Sequence, residues 1–246
     1  MGLLVALFFL TALVYSMAGF GGGSTYLALL TLFHVDIQTM RSTALLCNLA
    51  VVSYGTICFA RAGHLRLRQV LPFVLASIPM AYLGGTVLIG QQTFRLLLGL
   101  SLLVAATRML WVGQAMEPRT VISAKTTWAV GLPLGALLGF LAGIVGIGGG
   151  IYLAPVLLLL GWANARQTAA AASFFILVNS IAGLAGQWSH GIKLDWRLAI
   201  PLLAAVVVGG QVGSRAGAYK LPKVAMQRIT GVLLLAISGR LLWALV

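Results

Sequence analysis

The chain has 246 residues, of which 61% are hydrophobic and 8% charged, with a mean hydropathy of +1.05. A water-soluble domain carries about 25% charged residues, so nineteen charges cannot cover a soluble globule of 25.8 kDa, and a soluble enzyme is excluded. The sixteen bases and three acids leave a net charge of +13. The bases sit in short loops between apolar runs, where they set membrane topology, and no nucleic-acid partner is expected.

Eight apolar stretches follow one another: 2–33, 42–60, 69–89, 92–113, 126–161, 166–188, 197–215 and 223–245. A helix needs about 20 apolar residues to cross the hydrocarbon core. The first and fifth stretches are too long for one crossing. Each contains a glycine cluster, Gly19 with Gly21 to Gly23 in one and Gly143, Gly146 and Gly148 to Gly150 in the other. Glycine costs about 1 kcal/mol relative to alanine in a helix interior, so each cluster predicts a helix, a break and a shorter helix. Cys47 and Cys58 share one apolar segment. On a helix they would stand about 16 Å apart, too far for a disulfide. The N-terminal stretch lacks the basic flank and cleavage site of a secretory signal peptide.

The two breaks belong to an internal repeat. Ala18, Gly19, Gly22, Gly23 and Tyr26 match Ala142, Gly143, Gly148, Gly149 and Tyr152. Beyond them Ser42 aligns with Ser173, Asn48 with Asn179, Gly55 with Gly186, Gly84 with Gly213 and Arg108 with Arg240. The expected architecture is an all-α polytopic membrane protein with two homologous halves of four hydrophobic segments each. The halves are 1–112 and 126–246, joined by a polar linker at 113–125. The first segment of each half is broken at a Gly-rich re-entrant or hairpin tip.

If each broken segment crossed once, the halves would run parallel and the Lys and Arg residues would divide nine to seven between the two sides. If each break is a hairpin tip, the second half inverts. The division is then eleven (Arg61, Arg66, Arg68, Arg108, Arg119, Lys125, Arg166, Arg215, Lys220, Lys223, Arg228) to five (Arg41, Arg95, Lys193, Arg197, Arg240). The positive-inside rule favours inverted repeats with a cytoplasmic linker.

Discontinuous helices at matched places in two repeats point to the site of a secondary transporter. A helix that starts inside the membrane leaves its first N–H groups unpaired and carries partial positive charge, which suits an anion. The residues expected to hold it are Gly21, Gly22, Gly23, Ser24 and Thr25 at the first break, and Gly148, Gly149 and Gly150 at the second. Polar residues inside the apolar segments join them: Ser42, Thr43, Asn48, Ser173 and Asn179, with Arg41 as an entrance guide. Their hydroxyls and amides can donate to an oxyanion without adding charge. The glycines every fourth residue, at 131, 135, 139 and 143 and again at 209, 213 and 217, read as helix-packing ridges. Arg108 and Arg240, each followed by a tryptophan, read as interfacial belt residues.

Catalytic motifs do not emerge. Asp36, Glu117 and Asp195 fall in loops, the histidines lie at segment ends, and no catalytic serine or metal spacing is present. No catalytic role, metal or cofactor is expected.

With its doubled AGxGGG-type motif, Ala18 to Gly23 and Ala142 to Gly150, set in two four-segment halves, the chain resembles the TauE/SafE sulfite exporter family. The resemblance implies transport of a small sulfur-containing anion, such as sulfite, across a bacterial inner membrane by a multi-pass protein. The expected activity is export by alternating access, with the anion held between the two glycine breaks. An importer of thiosulfate or an organosulfonate, and a membrane binding subunit that moves nothing, are the alternatives. The expected partners are the small anion, the lipid bilayer and a second copy of the chain as a homodimer.

Overall fold

The computed structural model describes residues 1–86, 123–188 and 194–243, together with Leu96, Leu100, Leu103, Ala106, Thr107 and Leu110, which are helical. Most of the predicted segment 92–113 and of the linker 113–125 lies outside these residues, as do Arg108, Glu117 and Lys193.

All regular structure among the described residues is helical. The first half contains α1 (Gly2–Met17), α2 (Gly23–Leu32), α3 (Ile37–Arg61) and α4 (Leu67–Thr86). The second contains α5 (Ala124–Val145), α6 (Gly150–Leu159), α7 (Ala165–Trp188) and α8 (Trp196–Arg215). A π-helical turn, Ala216–Lys220, extends α8, and α9 covers Lys223–Trp243. Five described helical stretches, matching α3, α4, α5, α7 and α8 with its extension, are long and apolar enough to cross a membrane. The two acids of the described loops are helix caps. Asp36 accepts from the N–H groups of Gln38 and Thr39 at the start of α3, and Asp195 from that of Arg197 at the start of α8.

Glycine decides how closely the helices pack. Gly209, Gly213 and Gly217 face the carbonyls of Phe9, Leu13 and Met17, so α8 with its extension lies backbone to backbone against α1. Gly135, Gly139 and Gly143 face those of Phe73, Ser77 and Ala81 in the same way, pairing α5 with α4. Residue numbers rise together in both registers, so each pair runs in one direction. Between α3 and α7 the register falls: Ser42 meets Gln187, Leu45 meets Gly183, and Gly55 meets Ser173. These two central helices are antiparallel. Between α3 and α8 it rises again, Val51 against Gly210 and Gly55 against Ser214. Thus α1, α3 and α8 point one way, while α7 points the other.

These directions sort the bases. Arg61, Arg66, Arg68, Arg166, Arg215 and Lys220 gather at the end of the bundle where α3 finishes. Arg41 and Arg197 stand toward the opposite end. The outward faces of α1, α4 and α8 are apolar, with Leu3, Leu10, Leu71, Leu75, Ile200 and Val208 exposed. That is the surface a helix bundle presents to lipid tails.

Candidate functional site

Two turns join short helices to long ones. At the first, α1 ends at Met17 and α2 starts at Gly23. Gly19 and Gly22 hold φ of 78° and 89°, a left-handed backbone that L side chains adopt only under strain. Gly22 comes back against Thr11, and the ring of Tyr26 stacks on Phe8 with centroids 4.5 Å apart. So α2 returns alongside α1. At the second turn Gly146, Gly148 and Gly149 hold φ of 74°, 77° and 78°. Gly149 comes back against Ala142 and the carbonyl of Leu138. The separation in sequence, from Thr11 to Gly22 and from Leu138 to Gly149, is the same in both halves.

Asn48 joins the turns. Its amide lies against Gly21 and Gly23 of the first, and its Nδ2 donates to the carbonyl of Ile147 in the second at 3.1 Å. Its Oδ1 has no partner among the described residues, although the side chain is fully buried. Asn48 is the twelfth of the 25 residues of α3, so the turns meet beside the middle of that helix. Ser173 of α7 donates to the carbonyl of Gly19 at 2.9 Å. Each glycine turn is therefore held by a side chain from the third helix of the other half.

Arg41 reaches further than an entrance guide would. Its Nη2 donates to the carbonyls of Gly143 and Ile144, at 3.3 and 3.0 Å, at the C-terminal end of α5. A cation there complements the negative end of the helix dipole. Around Gly148 and Gly150 the neighbours are Ile176, with the hydroxyl of Ser180 beside Gly148 and the carbonyl of Ala172 beside Gly150. Among the described residues no acceptor reaches the N–H groups of Gly21 to Gly23 or of Gly148 to Gly150. Unpaired N–H groups at helix starts are the groups from which an anion cradle can be built.

Other expected residues stand apart from this contact. Ser42 donates to Gln187 Oε1 at 3.3 Å, between α3 and α7. Asn179 donates to the carbonyl of Phe175 in its own helix. Thr25 donates to the hydroxyl of Tyr15 at 2.7 Å. Thr43 is fully buried, and its hydroxyl has no partner among the described residues. The carbonyl of Ser24 accepts from Arg240 Nη1 at 3.4 Å, so Arg240 does more than anchor an interface.

Sequence reasoning passed over Ser180, Tyr26 and Tyr152 as site residues. The two tyrosine hydroxyls are buried without partners among the described residues. The signal was present, since Tyr26 and Tyr152 are repeat mates three residues beyond matched glycines. No pattern in the sequence ties Arg240 to Ser24.

An all-helical bundle with several membrane-length helices and polar groups buried between them is a polytopic membrane protein. The family model "Sulfite exporter TauE/SafE" matches residues 4–241, and the chain belongs to that family. A probable membrane transporter protein, y4hK of Sinorhizobium fredii, is 35% identical over 98% of both chains. A probable membrane transporter protein of Xylella fastidiosa is 28% identical, over 93% of this chain and 90% of its own. Another, YunE of Bacillus subtilis, is 23% identical over 98% of this chain and 97% of its own. No solved structure matches the chain. The family and these relatives identify a membrane transporter.

Proposed function

We propose that this transporter exports sulfite or a closely related small sulfur oxyanion from the cytoplasm across the inner membrane. The anion sits between the two glycine turns, against the N–H groups of Gly21, Gly22, Gly23, Gly148, Gly149 and Gly150. The observation that carries this reading is the meeting of both turns at Asn48, halfway along α3. The amide of Asn48 and the hydroxyl of Ser173 leave their carbonyl partners and turn to the anion. Ser24, Thr25, Ser42, Thr43 and Asn179 are proposed as polar surroundings, and Arg41 as the cation that holds the second turn in place.

The halves 1–112 and 126–246 act as inverted repeats linked on the cytoplasmic side. Their antiparallel third helices and the returning α1–α2 and α5–α6 turns support this arrangement. The basic end of the bundle faces the cytoplasm by the positive-inside rule. Rocking of one half against the other alternates access to the turns. With the cell interior negative, each negative charge moved outward gains about 2.3 kcal/mol per 100 mV.

The test is efflux of labelled sulfite from liposomes containing only this protein. Potential-dependent efflux is expected. Absence of flux with sulfite, thiosulfate and organosulfonates overturns the carrier, and accumulation of thiosulfate or a sulfonate without sulfite efflux makes it an importer.

A further inference from the structure

The two ends of the contact between α3 and α7 are not equivalent. On the basic end, Gly55 of α3 faces two hydroxyls: a methyl group placed on it would meet Ser214 Oγ at 3.2 Å and Ser173 Oγ at 3.3 Å. Ser214 is fully buried, and its hydroxyl has no partner among the described residues. Ser173 in turn touches the first turn through the carbonyl of Gly19. Next along each helix stand Tyr54 and Arg215. The guanidinium of Arg215 donates to the Tyr54 hydroxyl and lies 5.5 Å from the centre of its ring, with Arg215 exposed. The exposed Arg215 thus directly follows in sequence the buried Ser214, whose hydroxyl faces Gly55 beside Ser173 and the first glycine turn.

The repeat counterparts of Gly55, Ser173 and Ser214 are Gly186, Ser42 and Gly85. There the hydroxymethyl group of Ser214 is replaced by hydrogen. Gly186 packs on the carbonyl of Tyr82, and Gly85 faces the carbonyl of Gly183, so backbone seals the space. Ser42 is engaged by Gln187.

We propose that Arg215, Tyr54, Ser214, Gly55 and Ser173 form the cytoplasmic route by which a small oxyanion reaches the first glycine turn, with Arg215 as the recruiting charge. This rests on the transporter reading and deepens it. Arg215 raises the local concentration of anions at the mouth. Once the partner ring is displaced, the unpartnered Ser214 hydroxyl and that of Ser173 replace part of the anion's hydration.

The experiment reads accessibility rather than flux, so that it separates this route from the identity of the cargo. In a Cys47→Ala, Cys58→Ala background, Ser214→Cys is exposed to methanethiosulfonates applied to one face of the membrane at a time. With each rate taken relative to that reagent's rate with a free thiol in solution, the anionic ethylsulfonate reagent is expected to label from the basic end about tenfold faster than the cationic trimethylammonium reagent. Arg215→Gln abolishes that preference. Tyr54→Cys gives the same readout if Ser214→Cys does not accumulate. No labelling from the basic end, or an equal relative rate for both reagents with Arg215 intact, overturns the route. Labelling with anion preference in a protein that moves no sulfite upholds the route and overturns the cargo.

Discussion

Asn48 donates to the carbonyl of Ile147 while its side chain rests against Gly21 and Gly23, so one amide spans both glycine turns. Those turns lie more than a hundred residues apart in sequence, one from each half. The contact is fully buried, and a methyl group on either glycine would run into the side chain of Asn48.

Asn48→Ala leaves the Ile147 carbonyl without its donor, which costs about 1–3 kcal/mol for a buried group. Sulfite efflux is expected to fall roughly tenfold, the kinetic equivalent of about 1.4 kcal/mol. Asn48→Asp keeps the volume and places a negative charge at the cradle, so efflux falls below that of the alanine variant. Initial rates in proteoliposomes at matched protein content make the comparison. Equal, wild-type rates in both variants would place the anion elsewhere.

Gly19 and Gly63 have nearly the same left-handed φ, 78° and 74°, but different surroundings. A Cβ at Gly63 meets nothing within 4 Å, whereas one at Gly19 runs into the backbone of Ala169 on α7. Gly63→Ala should lose only the backbone strain, about 1–2 kcal/mol. Gly19→Ala adds a backbone clash that no rotamer relieves, and it should yield little folded protein. Thermal unfolding in detergent distinguishes them; similar melting temperatures would show that the first turn yields freely.

Arg41 donates to two adjacent carbonyls through the single nitrogen Nη2 of a rigid guanidinium, which the flexible ammonium of lysine replaces in charge but not in shape. Arg41→Gln removes the charge from the end of α5 and is expected to cost about 1–3 kcal/mol. Arg41→Lys keeps the charge and should recover part of the loss. If the cation acts only on the fold, the melting temperature falls while the KM for sulfite holds. If it also shapes the second turn, KM rises in both variants.

Much of this arrangement was legible in sequence because glycine marks it. The clusters at Gly19 to Gly23 and Gly143 to Gly150 fall where the helices stop, and the fourfold-spaced glycines fall where helices touch. Partner choice among the polar residues was not legible. Ser42 and Ser173 are repeat mates, yet one bonds Gln187 and the other Gly19. Asn48 crosses to the other half, while Asn179 bonds its own helix. Such choices depend on which helix faces which, and a contact between helices from different halves leaves no periodicity in either one.

The orientation of the bundle gives a prediction that no ligand is needed to test. Because α1, α3 and α8 share a direction opposed to α7, the loop after α3 and the loop before it lie at opposite ends. The loop after α3 contains Gly63 and is flanked by Arg61, Arg66 and Arg68. The loop before it contains the exposed Phe33. With Cys47 and Cys58 replaced by alanine, Gly63→Cys should react with a membrane-impermeant maleimide only after the cells are opened. Phe33→Cys should react in intact cells whose outer layer has been made permeable. The reverse pattern would turn the basic end outward, contrary to the positive-inside rule, and would make the Arg215 route an exit instead of a way in. Labelling of both from one side would contradict the crossing of α3 itself, a helix of 25 residues with a length of about 37 Å.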